Sequence, residues 1–160
     1  MSGFFLDLTK LSSGVNSDTA IPPRDIFTAL PSKDAKFQYP RDVQSEVWEK
    51  WYDARKNQTN VIKMNTGSGK TSVGLIILKS CINEGEGPAV YAVPDNYLVE
   101  QVILEASQLG IPVTQDERSP KFIAGKEILV TNIFKLVNGR SVFGVGDEGP
   151  KIPIGAIIID

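Results

Sequence analysis

Residues 60–71 read NVIKMNTGSGKT, in which a short apolar run rich in β-branched residues leads into a glycine-rich turn. The stretch after the turn, SVGLIILKSCI over residues 72–82, is apolar on most sides, which predicts a buried helix. A strand, a glycine-rich turn and a helix in this order form the setting of a phosphate-binding loop. The sequence therefore predicts such a loop within an α/β fold.

Each residue type in the turn suits the binding of a triphosphate. Gly67 and Gly69 allow a sharp bend that brings backbone N–H groups against phosphate oxygens. The Lys70 ammonium group suits the β- and γ-phosphates, and the Thr71 hydroxyl suits a magnesium ion. We therefore predict ATP and Mg²⁺ as cofactors. The predicted ATP-binding residues of the loop are Asn65, Thr66, Gly67, Ser68, Gly69, Lys70 and Thr71. The alternative is a surface turn in which Lys70 is only solvated.

The rest of the chain alternates short apolar runs with helical patterns. Further strands are predicted in PAVYAVP (residues 88–94), near Val113, in EILVT (residues 127–131) and in GAIIID (residues 155–160). Helices are predicted over residues 42–55, from Asp95 or Asn96 to Gly110, and over residues 134–137, followed by a glycine-rich loop. This alternation is typical of a parallel sheet covered on both faces, which predicts an α/β, parallel-sheet P-loop NTPase domain. The last strand, Ala156–Ile159, is expected to be buried.

The chain is predicted to consist of a loosely ordered N-terminal segment and one folded domain. Residues 1–23 combine Gly, Ser, Asn and Asp with two adjacent prolines and show no sustained periodicity, which predicts a loosely ordered lead-in. The domain is predicted over residues 24–160. Because the sequence stops at the tip of a predicted central strand, we expect the domain to be truncated at its C-terminus and to belong to a longer protein.

Asp160 directly follows the last predicted strand. A phosphate loop works with a carboxylate at the end of an adjacent strand, which holds magnesium through its water shell. We predict that Asp160 fills this role, as a catalytic residue together with Lys70 and as a magnesium ligand together with Thr71. The alternative for an aspartate after an apolar run is an ordinary loop residue or a helix cap.

Composition excludes several kinds of chemistry. The 160 residues contain one cysteine and no histidine, which excludes a disulfide framework, a cysteine-based zinc site and a histidine base. The net charge of −2 differs from that of a protein coated in positive charge, so any contact with a polyanion must use a local patch. No apolar run is long enough to cross a membrane, and no secretion signal is visible, which predicts a cytoplasmic protein without a membrane partner.

Several motifs together resemble the superfamily-two helicases and translocases, the group of DEAD/DEAH-box proteins and their restriction-enzyme relatives. MNTGSGKT (residues 64–71) is similar to the phosphate loop of that group, and IIID (residues 157–160) to the start of its D-E-x-x box. VPDNYLVEQV (residues 93–102) resembles its P-x-x-x-L-x-x-Q motif, and ILVTNIFKL (residues 128–136) its I-L-V-T-T-P-G-R-L segment. The resemblance implies the first RecA-like lobe of a helicase or translocase, ending at the Walker B aspartate.

The departures from the family pattern are local. Met64 replaces an alanine, Asn96 stands where DEAD-box proteins have an arginine, and residues 132–134 replace T-P-G. Lys135 keeps a cation at the position of the family's arginine. These differences favour a more distant, bacterial-type helicase or translocase over the DEAD-box subgroup itself.

The resemblance also implies roles for residues outside the loop. Gln44 corresponds to the adenine-reading glutamine of the family, and Phe27 to an aromatic residue that contacts adenine; Tyr39 is a second stacking candidate. The segments that face DNA or RNA in the family carry the predicted nucleic-acid-binding residues Pro94, Asn96, Thr131, Asn132 and Lys135. A second RecA-like lobe in the same full-length chain is the other partner that the resemblance implies.

Each of these roles has a plainer alternative. Gln44 is otherwise an exposed polar residue of the first helix, and aromatic residues such as Phe27 more often belong to a core. Asn96 and Asn132 are otherwise helix caps.

Two other classes of function stay open. One is another phosphate-loop enzyme, a small-molecule kinase or a GTPase, although the guanine-reading N-K-x-D of GTPases and the first glycine usual in kinases are both missing. The other is a non-catalytic protein that uses bound nucleotide as a structural or regulatory ligand. Acidic residues beyond Asp160 would distinguish an active enzyme from such a scaffold.

Overall fold

The computed structural model of the chain describes residues 20–143 and 151–160. Its helices are α1 (Pro23–Ala29), α2 (Asp42–Asp53), α3 (Lys70–Asn83), α4 (Asn96–Leu109), α5 (Pro120–Ile123) and α6 (Ile133–Val137), with a 3₁₀ helix at Ala35–Phe37. Its strands are β1 (Ala89–Val93), β2 (Val113–Thr114), β3 (Ile128–Asn132) and β4 (Ala156–Ile159). From α3 onward helices and strands alternate. The sequence predicts this alternation except for α5, the short helix between β2 and β3.

The strands form one four-stranded parallel sheet in the order β2-β3-β1-β4. The predicted α/β class with a parallel sheet is thereby confirmed. Every residue of β1 is buried. Because the strands run in one direction, their carboxyl ends share one edge, where Val93 pairs with Asn132 and Ala92 pairs with Ile159. Residues that follow β1, β3 and β4 therefore come together at this edge.

Helix α3, which follows the glycine-rich turn, lies at the centre of the core. All its residues from Ser72 to Leu78 are buried, which confirms the prediction of a buried helix. Trp48 of α2 is also fully buried, and its indole Nε1 donates a hydrogen bond to the carbonyl of Val73 at 3.3 Å. Helix α2 is thus packed directly against the start of α3.

Helix α4 begins and ends where the sequence predicts. The Asp95 carboxylate caps it by accepting a hydrogen bond from the Leu98 N–H at 2.9 Å. At the other end Gly110 adopts a left-handed conformation with φ of 71°, which glycine reaches without steric cost. Of the two predicted caps, Asp95 is therefore the one used.

The predicted strand at residues 60–64 is wrong, because the structure has no strand there. Val61 is 92% exposed. A cavity of about 450 Å³ is lined by Ile62 and Met64 of this segment and by residues 157–160. β-Branched residues form a strand only where a neighbouring strand offers hydrogen bonds and packing, and the described residues provide none beside this segment.

The last strand is also less buried than predicted. Ile157 and Ile159 are 44% and 65% exposed. β4 lies at an edge of the described sheet and pairs there with β1 alone. Only alternate residues such as Ile158 reach the core, so β4 has the half-exposed pattern of an edge strand.

Part of the predicted organisation falls outside the described residues, namely residues 1–19 of the lead-in and residues 144–150 of the glycine-rich loop. Helix α1 begins at Pro23, whose fixed φ suits a first helical turn. The sequence analysis missed this helix because seven residues are too few to show helical periodicity. In the described ranges no helix combines the length and apolar character needed to cross a bilayer.

Candidate nucleotide-binding site

The glycine-rich turn opens directly into helix α3. Gly67 and Gly69 adopt left-handed conformations with φ of 78° and 85°, which residues with a side chain rarely adopt. Gly69 is the N-cap of α3 and Lys70 is its first residue. The first N–H groups of a helix have no partner within the helix, and together with the helix dipole they favour an anion. The turn and the helix therefore form a site suited to phosphate.

Gln44 of α2 packs against this turn. Its side chain is 5% exposed, its Oε1 accepts a hydrogen bond from the Arg41 N–H at 3.0 Å, and its Nε2 donates to the Gly69 carbonyl at 3.3 Å. A Cβ atom at Gly69 would overlap the Gln44 amide nitrogen and displace this end of the side chain, and the positive φ of Gly69 itself favours glycine. The structure thus brings the predicted adenine contact to the loop.

Arg41, which the sequence analysis did not single out, contacts the same turn. Its Nη1 donates a hydrogen bond to the Gly67 carbonyl. The side chain is exposed and lines the cleft over the loop. Arg41 is the N-cap of α2, and Gln44, three residues later, accepts a hydrogen bond from its N–H. This N-cap-to-N3 spacing before a helical pattern is the signal that could have pointed to Arg41.

A cleft of about 740 Å³ lies over the turn, a volume within the range of roughly 300–1,000 Å³ that is usual for small-molecule sites. The predicted nucleotide-site residues that line it are Gln44, Thr66, Gly67, Gly69, Lys70, Thr71 and Asp160. Asn65 and Ser68 belong to the turn, where the Ser68 N–H donates to the Asn65 carbonyl at 3.2 Å, but they do not line the cleft. Within the described ranges Lys70 forms no ion pair, so its cation is available to an anionic ligand.

Asp160 faces the phosphate loop from the end of β4. It lines both the cleft and the cavity beside β4. The Tyr91 hydroxyl donates a hydrogen bond to its Oδ2 at 2.9 Å. Burial raises the pKa of Tyr91 well above its usual range, the charge of Asp160 and the hydrogen bond to it raise it further, and a hydrogen bond with the Thr71 hydroxyl acts in the opposite direction. Thr71 and Asp160 therefore lie beside the same phenol group.

Thr71 and Asp160 fit the needs of a magnesium ion. Mg²⁺ prefers oxygen ligands, takes one or two from the protein, and completes its shell with water and phosphate oxygens. A hydroxyl and a carboxylate that line one cleft and contact one phenol meet this requirement. Among the described residues, no group of three or more acidic, cysteine or histidine side chains is arranged to hold a metal ion.

Tyr91 is a second site residue that the sequence analysis missed. It is the one polar side chain in the strand sequence AVYAV. A buried phenol usually has a hydrogen-bond partner, so the strand itself signalled a polar neighbour. Only the fold shows that this neighbour is Asp160, because the two residues are far apart in the chain.

Phe27 is not at the cleft, and its predicted contact with adenine is corrected to a core role. It is 1% exposed, and its ring centroid lies 5.3 Å from that of Trp48. Helices α1 and α2 bury these two rings against each other, and Lys33 covers the Phe27 ring with its Nζ 4.6 Å from the centroid. The other aromatic candidate, Tyr39, is exposed and lines the cleft.

The residues predicted to bind nucleic acid lie at the carboxyl ends of β1 and β3. The Asn132 Nδ2 donates a hydrogen bond to the Asn96 Oδ1 at 3.4 Å, and Asn132 also caps α6 with its side chain. Pro94 and Lys135 are exposed near these two residues in the chain. Thr131 is buried, its Oγ1 donates a hydrogen bond to the Asn132 carbonyl at 3.4 Å, and unlike Gln44 it does not line the cleft. Its predicted contact with nucleic acid is therefore corrected to a place inside the fold.

A comparison with known protein families identifies the family of this chain. Residues 38–160 match the family described as type III restriction enzyme, res subunit. No curated protein and no solved structure matches the chain. The family match covers more than half of the chain and confirms the resemblance to superfamily-two helicases. The chain therefore belongs to the family of the type III restriction enzyme res subunit, whose helicase-like, ATP-dependent domain has the RecA fold and acts on nucleic acid.

Proposed function

We propose that residues 24–160 form the first RecA-like, ATP-binding lobe of a helicase or translocase, in which ATP hydrolysis drives movement along DNA or RNA or its unwinding. One observation carries the proposal: the glycine-rich turn, Lys70 and Asp160 line a single cleft. These groups come from two distant parts of the chain, and the packing of α3 against β1 and β4 brings them together. A solvated surface turn would not have a carboxylate at the end of another strand beside it.

The residues of the cleft have separate roles in this proposal. The backbone N–H groups of the turn and the Lys70 ammonium group hold the β- and γ-phosphates. Gln44 already bonds to Arg41 and Gly69, and it offers the second N–H of its amide and the second lone pair of its Oε1 to the adenine edge. Thr71 and Asp160 hold Mg²⁺, which neutralises charge on the phosphates when it is bound. Arg41 joins this set because it reaches both the turn and the cleft.

The nucleic acid binds at the same edge of the sheet, beside the nucleotide. Asn96 and Asn132 connect the starts of α4 and α6 through their hydrogen bond, and Pro94 lines the nucleotide cleft. Contacts at helix starts and through a few polar groups hold phosphates without reading sequence. A second RecA-like lobe of the full-length chain closes over the cleft and couples hydrolysis to movement.

The proposal is tested by replacing Lys70 with alanine in the full-length protein. We expect Lys70→Ala to weaken the binding of a fluorescent ATP analogue by at least tenfold, because a hydrogen bond to a charged group contributes about 1.5–3 kcal/mol. Circular dichroism should stay unchanged. ATP hydrolysis stimulated by DNA or RNA should be present in the parent protein and lost in the variant.

The matched control is Lys79→Ala, which removes a lysine near the other end of α3, away from the cleft. It should keep both nucleotide affinity and stimulated hydrolysis. Equal affinity in the parent protein and Lys70→Ala would refute the nucleotide site. Hydrolysis that neither DNA nor RNA stimulates would refute the helicase or translocase function and leave nucleotide binding in place.

A further inference from the structure

Tyr91 occupies an unusual place for a polar side chain. It is the middle residue of β1 and is 1% exposed. In the sheet it pairs with Ile158 of β4, two residues before Asp160. Its hydroxyl donates a hydrogen bond to the Asp160 Oδ2 at 2.9 Å. The buried middle of β1 is thus joined by a hydrogen bond to a carboxylate that lines the nucleotide cleft.

The Tyr91 ring is held in position by helix α3. A Cβ atom at Gly74 would lie 2.7 Å from the ring Cε2 and 3.2 Å from the Ile158 Cδ1. Real Cβ atoms essentially never show a contact as short as the 2.7 Å to the ring, so Gly74 leaves the space that the ring fills. The ring is enclosed between the helix that follows the phosphate loop and the strand that leads to Asp160. The position of its hydroxyl is therefore determined by packing.

The two oxygens of Asp160 differ in their surroundings. Oδ2 accepts the hydrogen bond from Tyr91. Within residues 20–143 and 151–160, Oδ1 accepts no hydrogen bond. The backbone of Asp160 is also fixed, because its N–H donates to the Ala92 carbonyl at 3.0 Å. With the backbone and one oxygen held, the second oxygen has a defined position.

We propose that Tyr91 is a positioning residue that orients the Asp160 carboxylate for magnesium in the nucleotide cleft. The proposal rests on the function proposed above, in which Asp160 and Thr71 hold Mg²⁺. Without such a hydrogen bond, a carboxylate at the exposed end of an edge strand rotates about its side-chain bonds. Binding of the ion then fixes the side chain, and the lost conformational entropy weakens the binding. Tyr91 itself does not touch the ion or the nucleotide.

The test is the Mg²⁺ dependence of nucleotide binding by the full-length protein. We expect Tyr91→Phe, which keeps the ring and removes the hydroxyl, to raise the Mg²⁺ concentration for half-maximal binding of a fluorescent ATP analogue about tenfold, the usual effect of losing a partner that orients a metal ligand. Its affinity for the analogue in excess EDTA should equal that of the parent protein. A merely structural role would not separate these two measurements.

Two further variants make the result decisive. Tyr52→Phe removes the hydroxyl of a tyrosine that does not line the cleft, and it should leave the Mg²⁺ dependence unchanged. Asp160→Asn should raise the Mg²⁺ requirement at least as much as Tyr91→Phe. If Asp160→Asn shifts the Mg²⁺ curve and Tyr91→Phe does not, Tyr91 only fills the core and the inference is overturned. If neither shifts it, the magnesium role of Asp160 in the proposed function also fails.

Discussion

The two sides of the phosphate loop differ in burial and in contacts. Before the loop, residues 60–64 form no strand, and Val61 is 92% exposed. After the loop, helix α3 enters the core at once, and Val73 is 2% exposed. The two sides have similar apolar sequences, NVIKM and SVGLIIL. Their different surroundings show that apolar residues are buried only where other elements cover them.

The conformation of the loop is therefore determined by contacts with the helices packed against it, and not by the segment that precedes it. Helix α2 supplies the contacts: the Gln44 side chain to the Gly69 carbonyl, the Arg41 guanidinium at its N-cap to the Gly67 carbonyl, and the Trp48 indole to the first turn of α3. Of the segment before the loop, Met64 packs against the core, whereas residues 60–63 are exposed. We expect changes in α2 and α3 to affect the loop strongly and changes in residues 58–63 to affect it weakly.

The largest expected effect compares two valines on either side of the loop. Val73→Ala should lower the free energy of unfolding by about 2 kcal/mol, because it removes buried methyl groups and leaves a cavity. Val61→Ala should change it by less than about 0.5 kcal/mol, the usual range for an exposed residue. Urea denaturation of both variants measures the difference. Equal losses would show that the segment before the loop is covered in solution, contrary to the structure.

A smaller effect is expected from two glutamines. Gln44→Ala should lower the free energy of unfolding by about 1 kcal/mol, since it removes two hydrogen bonds at a buried position. It should also weaken the binding of a fluorescent ATP analogue, because the Gly69 carbonyl loses its side-chain partner. Gln58→Ala, in the exposed segment, should change neither quantity. Unaltered nucleotide affinity in Gln44→Ala would mean that α2 does not shape the loop.

The smallest effect tests the link at the far end of α3. Glu84 forms ion pairs with Lys56 at 2.7 Å and Arg55 at 3.2 Å, the residues just before the exposed segment. The hydrogen bond from Lys56 lowers the pKa of Glu84, burial opposes this, and the charge of Arg55 lowers it further. A carboxyl group with a lowered folded pKa stabilises the fold above its unfolded value of about 4.3, and this stabilisation is lost as the pH falls through the folded value.

Glu84→Gln should therefore lower the free energy of unfolding by about 0.5 kcal/mol at neutral pH, in the range of partly exposed ion pairs. The difference from the parent protein should shrink as the pH falls below about 4.3. Denaturation at a series of pH values measures it, with the exposed Glu100→Gln as control. A difference that stays constant with pH would exclude the ion pairs as its cause.

The sequence identified most of the candidate site because those residues are required by local chemistry. Some residue types are recognisable in a sequence because they occupy fixed positions relative to a helix. Examples are the left-handed Gly69, Lys70 at the start of α3 and the capping Asp95. Phe27 and Thr131 were assigned by resemblance, and packing between α1 and α2 and inside the sheet placed both in the interior. A local pattern does not report which elements will cover a residue.

The sequence by itself determined most of the alternation of strands and helices, the glycine-rich turn before α3 and the carboxylate at the end of β4. It did so because glycine conformation, helix capping and apolar periodicity act over a few residues. Only the tertiary structure decided that residues 60–63 are exposed, that β4 is an edge strand of the described sheet, and that Tyr91 contacts Asp160. These outcomes depend on which distant segments come into contact. Such contacts are determined by the packing of the whole chain and not by a local sequence pattern.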